Sequence, residues 1–192
     1  MTYAIAVLYG SVRQDRQGIR AARFVVRQIQ SRGHTPTLID ALDVGLPLLD
    51  RMYKEYDAGH APANLESMAR VLRASDGFIV VSGEYNHGIP PALKNMLDHF
   101  LEEWFWRPSA IVAYSQGRYG GVRAAMQLRM TLAELGMPSI SSLLAVPRVH
   151  KAFDEDGSAT DDAWMRRAGK FLDEFEWHVA AQKAQRALGT PY

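Results

Sequence analysis

Apolar residues along this chain keep two alternating rhythms. Tyr3 to Tyr9 is a nearly continuous apolar run; similar runs recur at Phe78 to Ser82 and Ala110 to Ser115, with weaker ones at Thr35 to Asp40 and Ser142 to Val146. Short runs without polar interruption fit strands covered on both faces. Five buried strands are predicted.

Between these runs the apolar spacing changes to three and four residues. Ile19, Ala22, Val26 and Ile29 follow the first run, and Leu93, Leu97, Leu101 and Trp104 follow the third, which predicts helices there. A last helix is predicted from about Asp161 to Leu188, with Trp164, Ala168, Phe171, Phe175 and Val179 as its buried stripe and Asp161 or Thr160 as its cap. Strand and helix alternate, which argues an α/β fold with a doubly wound parallel sheet, because right-handed crossovers place helices on both faces. The stretch from Leu46 to Asn64, interrupted by Pro47, Gly59 and Pro62, is expected to be a mobile surface loop.

Composition narrows this picture. A chain of 192 residues that is 47% apolar supports one substantial core, so residues 1–192 are expected to form a single domain. Lys and Arg number 22 against 21 Asp and Glu, a net charge of +1, which leaves no overall footprint for nucleic acid or an anionic membrane. The absence of cysteine removes disulfides, thiolate nucleophiles and Cys-ligated metals. The first residues lack a signal-peptide pattern, and no apolar run approaches the roughly 18 residues of a spanning helix. A cytoplasmic protein is expected.

In a doubly wound sheet, ligands bind outside the carboxyl ends of the strands where strand order reverses. Three loops of unusual composition follow strands there. The first, "GSVRQDRQGIR", offers the Ser11 hydroxyl, the Arg13 and Arg16 guanidinium groups, and N–H groups near Gln17, Gly18 and Ile19 at a helix start. It suits an anion, and neither G-x-G-x-x-G nor G-x-x-x-x-G-K-[ST] is present, so a monophosphate fits better than a pyrophosphate. The second, "SGEYNHGIPPALKNMLDHF", sets Tyr85 among Glu84, Asn86 and His87 and enters a helix through Pro90 and Pro91, an arrangement suited to the face and edge of a planar heterocycle. In the third, "YSQGRYGGVRAAM", Gly117, Gly120 and Gly121 allow close backbone approach, and Ser115 and Tyr119 offer donors.

These motifs, "GSVR", "EYNHGIPPALKNMLD", "SQGRYGGVRA" and "LRMTLAELGM", resemble the NADPH-dependent FMN reductase family from about Tyr3 to Val146. The resemblance implies a flavodoxin-like five-stranded sheet of order 2-1-3-4-5 and a bound FMN reduced by NADPH or NADH, with electrons passed to a small acceptor such as a quinone, free flavin, azo compound or metal oxyanion. It further implies that Ser11, Arg13, Gly18 and Ile19 hold the phosphate and that Glu84, Tyr85, Asn86 and His87 line the isoalloxazine. Ser115, Gly117, Gly120 and Gly121 would approach its pyrimidine end or a dimer mate. Arg16 would supply charge that hydroxyls supply in many members, and Gly83 stands where the family usually has proline. No catalytic side chain is implied, since the cofactor carries the chemistry.

A flavodoxin-type electron carrier and a flavin-based redox sensor are the alternatives; carriers of that kind tend to be acidic, which +1 disfavours. NADPH and NADH are not separated by the residues, and Arg118 and Arg123 beside the third loop stand as candidate contacts. A homodimer or dimer of dimers is expected from Phe100, Trp104, Phe105 and Trp106, and from a second apolar stripe of Val122, Met126, Met130 and Ala133. "DEDGSATDD" lacks the terminal glutamate of a calcium loop, and Asp98, His99, Glu102 and Glu103 read as a wet helix face, so no metal is expected.

Overall fold

The computed structural model describes residues Met1 to Tyr192. In chain order the elements are β1 (Ala4–Tyr9), α1 (Ile19–Ser31), β2 (Thr35–Asp40), α2 (Ala41–Val44), α3 (Ala63–Ala74) and β3 (Gly77–Ser82). They continue as α4 (Pro91–Asp98), β4 (Ser109–Tyr114), α5 (Val122–Glu134), β5 (Ser139–Val146), α6 (Val149–Ala152) and α7 (Asp162–Arg186). The strands form one parallel sheet of order β2-β1-β3-β4-β5, so strand order reverses between β1 and β3.

Alternate residues of each central strand enter opposite cores, as the two-residue period of a strand demands. Ile5, Val7 and Tyr9 join α1 and α7 with Phe24, Phe153, Phe171 and Phe175, whereas Ala6 and Leu8 join α3, α4 and α5 with Leu93, Phe100, Trp104 and Leu128. Tyr114, the last residue of β4, falls on the α1 side. This register decides what lies beneath the candidate site.

Four expectations change. Only β3 and β4 are buried throughout, and β1 from Ile5 onward; β2 and β5 are the sheet edges, each with one neighbour and exposed positions such as Leu38. The helix after β3 stops at Asp98 rather than running to Trp104. The reason is local: the Trp104 indole N–H folds back to donate to the carbonyls of Leu97 and Phe100, both at 3.1 Å, satisfying groups that a helix end leaves open. Phe100 and Trp104 are thereby fully buried within this chain and offer nothing to a partner.

The irregular stretch before α3 is anchored rather than loose. Asn95 of α4 accepts from Leu49 N–H at 2.9 Å and donates to the Pro47 carbonyl at 2.7 Å. Tyr53 is buried, its N–H donates to the His99 carbonyl, and its hydroxyl donates to Glu66 at 2.9 Å. The last helix begins as expected, with the Asp161 carboxylate accepting from Ala163 N–H. No helix is long and apolar enough to cross a membrane.

Candidate active site

The loops after β1, β3 and β4 meet at the carboxyl edge of the sheet around a cavity of about 210 Å³. Ser11, Arg13, Arg16 and Gln17 line it from the first loop, Gly83, Glu84 and Tyr85 from the second, and Tyr114, Ser115 and Gln116 from the third.

The first loop holds open hydrogen-bond donors. No backbone N–H from Val12 to Gly18 donates to a protein acceptor, whereas Ile19 N–H already turns to the Arg16 carbonyl at 3.4 Å and Arg20 N–H to the Gln17 carbonyl at 3.3 Å. The donors thus lie before Ile19, which corrects its expected part. Arg13 is exposed and makes no ion pair or hydrogen bond, so its charge is available. Arg16 is not free. Its guanidinium pairs with the buried Asp40 carboxylate at the end of β2 at 2.5 Å, donates to the Ser11 carbonyl at 3.2 Å, and lies 5.5 Å from the centre of the Tyr9 ring. Arg16 therefore shapes the loop while its charge is spent on Asp40, contrary to the expectation that it serves the anion.

Gly18 is required by packing. A Cβ there would lie 1.9 Å from Cζ of Tyr114, whose ring fills the space under the helix start. The same ring explains Gly83: a Cβ at that position would come within 3.1 Å of the Tyr114 hydroxyl. Burial raises the Tyr114 phenol well above its ordinary range and raises that of Tyr9, so both stay protonated. Sequence reading missed Tyr114, because as the last apolar residue of a strand it carries no mark of its own.

The second loop is a tight two-residue turn. Tyr85 N–H donates to the Gly88 carbonyl at 3.1 Å and Gly88 N–H returns to the Tyr85 carbonyl at 2.9 Å, while Asn86 and His87 sit at φ of 50° and 67°. Two consecutive positive φ values define a type I′ turn, which asparagine tolerates well and histidine less so. Both side chains project into solvent at the rim, and neither lines the cavity. The Tyr85 hydroxyl lies 3.1 Å from Oγ of buried Ser11, which joins the first loop to the second.

Glu84 lines the cavity, and its carboxylate is also bound within the protein. Its carboxylate accepts from Arg123 N–H at 2.9 Å and Ala124 N–H at 3.2 Å, with the Arg123 guanidinium at 3.4 Å. It caps the first turn of α5, whose preceding residue Gly121 has no side chain to do so. Glu84 is a clamp between the second and third loops.

In the third loop Ser115 Oγ donates to the Gly117 carbonyl at 3.0 Å and accepts from Gly120 N–H at 2.9 Å, so its hydroxyl holds the loop's own turn. Gly120 and Gly121 take φ of 65° and 77° and pack against the backbone of Val146 and Tyr114, so the protein itself demands glycine there. Gly117 alone faces open space, where a Cβ would meet nothing within 4 Å.

A parallel sheet of this order, with open N–H donors and an unpaired arginine at the point of strand reversal, belongs to the flavodoxin-like class of doubly wound folds. Solved structures agree on the fold. The FerB flavoenzyme NAD(P)H:(acceptor) oxidoreductase from Paracoccus denitrificans superposes with a TM-score of 0.74 at 24% identity, covering 92% of this chain and 99% of that one. An archaeal flavodoxin superposes at 0.55 with 15% identity, covering 91% and 97%. In sequence, a quinone reductase of Pseudomonas putida is 27% identical over 188 residues, 95% of this chain and 97% of the relative. A probable NADPH:quinone oxidoreductase of Oryza sativa is 34% identical over 167 residues, 82% of this chain and 79% of the relative. Residues 3–151 match the NADPH-dependent FMN reductase model, and the chain belongs to that family of FMN-dependent oxidoreductases that draw on NAD(P)H.

Proposed function

We propose that this chain oxidises NAD(P)H through FMN held by the three loops and passes the electrons to a quinone or a similarly small acceptor. The observation that carries the reading is the run of unpartnered N–H groups from Val12 to Gly18 beside unpaired Arg13, on a cavity lined by all three loops. That donor set suits a phosphate dianion.

FMN, when bound there, would supply the redox chemistry between nucleotide and acceptor. The chain's part is to bind and to orient. Val12 to Gly18 and Arg13 would hold the phosphate, while Ser11 fixes the Tyr85 hydroxyl so that the tyrosine keeps its place in the cavity wall. The turn at Asn86 and His87 offers backbone groups at the rim, and Glu84 keeps the second loop registered on α5. Gly117 leaves the third loop open to close approach, and Ser115, Gly120 and Gly121 set its shape. No side chain is required to transfer a proton in the nicotinamide half-reaction.

Residues 1–192 would then act as one FMN-binding domain, placed in the cytoplasm by its need for reduced nicotinamide nucleotide. A homodimer, or a dimer of dimers, is supported by the exposed stripe of α5, where Met126 and Met130 are 49% and 69% accessible. The test is reconstitution with FMN followed by anaerobic addition of NADPH. Bound flavin that bleaches within a turnover, and recovers colour with a quinone, supports the reading. Bound flavin that stays oxidised points to a carrier or sensor, and failure to retain FMN overturns the site.

A further inference from the structure

Beyond the flavin site, the third loop carries a second concentration of positive charge. The Arg118 and Arg123 guanidinium groups lie 4.7 Å and 4.5 Å from the centre of the Tyr119 ring, and Arg118 also donates to the Tyr119 hydroxyl at 2.5 Å. Arg118 has no carboxylate partner, and Arg123 has only Glu84 at 3.4 Å, already shared with two N–H groups of α5. Arg148 joins the same edge, since its N–H donates to the Gly117 carbonyl, and its side chain makes no ion pair. All of these side chains are exposed, as is Tyr119 at 49%.

Holding two guanidinium groups against one phenol opposes their mutual repulsion, and the ring repays only part of it through cation–π attraction. An anion between them relieves the repulsion and meets fork-shaped donors suited to a phosphate. The cluster adjoins the flavin cavity through Glu84, which lines that cavity and touches Arg123. The flavin phosphate has its own donors in the first loop, so this charge is left for a second ligand. Of the nucleotides this family uses, the one with a terminal phosphate dianion to spare is NADPH.

We propose that Arg118 and Arg123, spaced by Tyr119, form the subsite for the adenosine 2′-phosphate of NADPH and so set preference for NADPH over NADH. The inference rests on the reductase reading. Tyr119 acts as a positioning residue, holding the two cations in a fixed relation. Arg148 adds charge at the same edge.

The experiment compares the FMN-loaded wild type with Arg118→Ala, Arg118→Lys and Tyr119→Ala, using Arg166→Ala on α7 as a surface-charge control. Steady-state kinetics with each nucleotide are paired with calorimetric titration of adenosine 2′,5′-bisphosphate. The wild type should bind that probe, and Arg118→Ala should weaken it and lower the NADPH-to-NADH ratio of kcat/KM by about tenfold or more, chiefly through KM for NADPH. Arg118→Lys should fall between, and Tyr119→Ala should lower the ratio less than Arg118→Ala. Equal losses with NADPH and NADH would mean that the arginines meet the shared pyrophosphate and would overturn the assignment, as would an equal effect of Arg166→Ala or no effect at all. FMN retention with NADH oxidation but no discrimination sinks this inference alone, whereas loss of FMN from the wild type sinks the flavin site beneath it.

Discussion

The ring of Tyr114 stands where a side chain on Gly18 would have to be, 1.9 Å from Cζ to the place of a Cβ. One phenol at the end of β4 thus underlies both the start of α1 and, through Gly83, the turn that follows β3. Gly18→Ala should destabilise by about 1–3 kcal/mol from overpacking and weaken FMN, because the phosphate loop must shift to admit the methyl group. Thermal denaturation and flavin titration measure both. Adding Tyr114→Leu should recover part of the loss; if the double variant is as poor as the sum of the singles, the two residues do not oppose one another as the geometry requires.

Arg13 and Arg16 occupy one loop and should fail differently. Arg13→Ala should weaken FMN by about tenfold or more and leave riboflavin binding nearly unchanged, since only FMN carries the phosphate. Arg16→Ala should lower stability by about 1–3 kcal/mol, because it leaves the Asp40 carboxylate buried without its cation. Comparing FMN with riboflavin titrations, alongside denaturant unfolding, separates the roles; a stable Arg16 variant with phosphate-selective loss would reverse them.

Glu84→Gln should keep part of its cap on α5, and Glu84→Ala should lose it at a cost of about 1 kcal/mol. The alanine variant should also loosen the turn at Asn86 and His87, read as faster amide exchange there and in the first turn of α5. Unchanged exchange in α5 would show that the carboxylate does not hold the two loops together.

Burial raises the phenols of Tyr114 and Tyr9 above the ordinary tyrosine range. A raised folded-state value means that the stabilising contribution is complete below the unfolded value and is lost as pH rises through the folded one. Alkali should therefore ionise the exposed members of the eight tyrosines first, and Tyr114 and Tyr9 only together with unfolding. Phenolate absorbance followed beside circular dichroism reads the two stages. Tyr114→Phe should move alkaline unfolding to higher pH; a single stage before any loss of structure would contradict the burial argument.

Met130→Glu places a charge on the exposed stripe of α5. If that stripe joins two copies, sedimentation should show a dimer in the wild type and a folded monomer in the variant. An unchanged dimer would place the interface elsewhere.

What the sequence alone determined is what local chemistry controls. Short apolar runs and three-to-four spacing marked the central strands and α1, and the glycine- and arginine-rich segments marked the loops at the carboxyl edge, because periodicity and helix starts are written within a few residues. The edge strands were less legible: a run such as Thr35 to Asp40 does not say whether it has one neighbour or two. The tertiary structure decided which polar groups are free. Arg16 and Arg13 look alike in the chain, yet only Arg16 reaches Asp40, placed beside it when β2 pairs with β1. Glu84 reads as a ligand contact alone until α5 brings its open N–H groups to it and makes it a cap as well, and Tyr114 reads as one more strand residue until Gly18 and Gly83 close over its ring. Hydrogen bonding, charge pairing and close packing join residues far apart in sequence, so the identity of the free donors emerges only when the chain has folded.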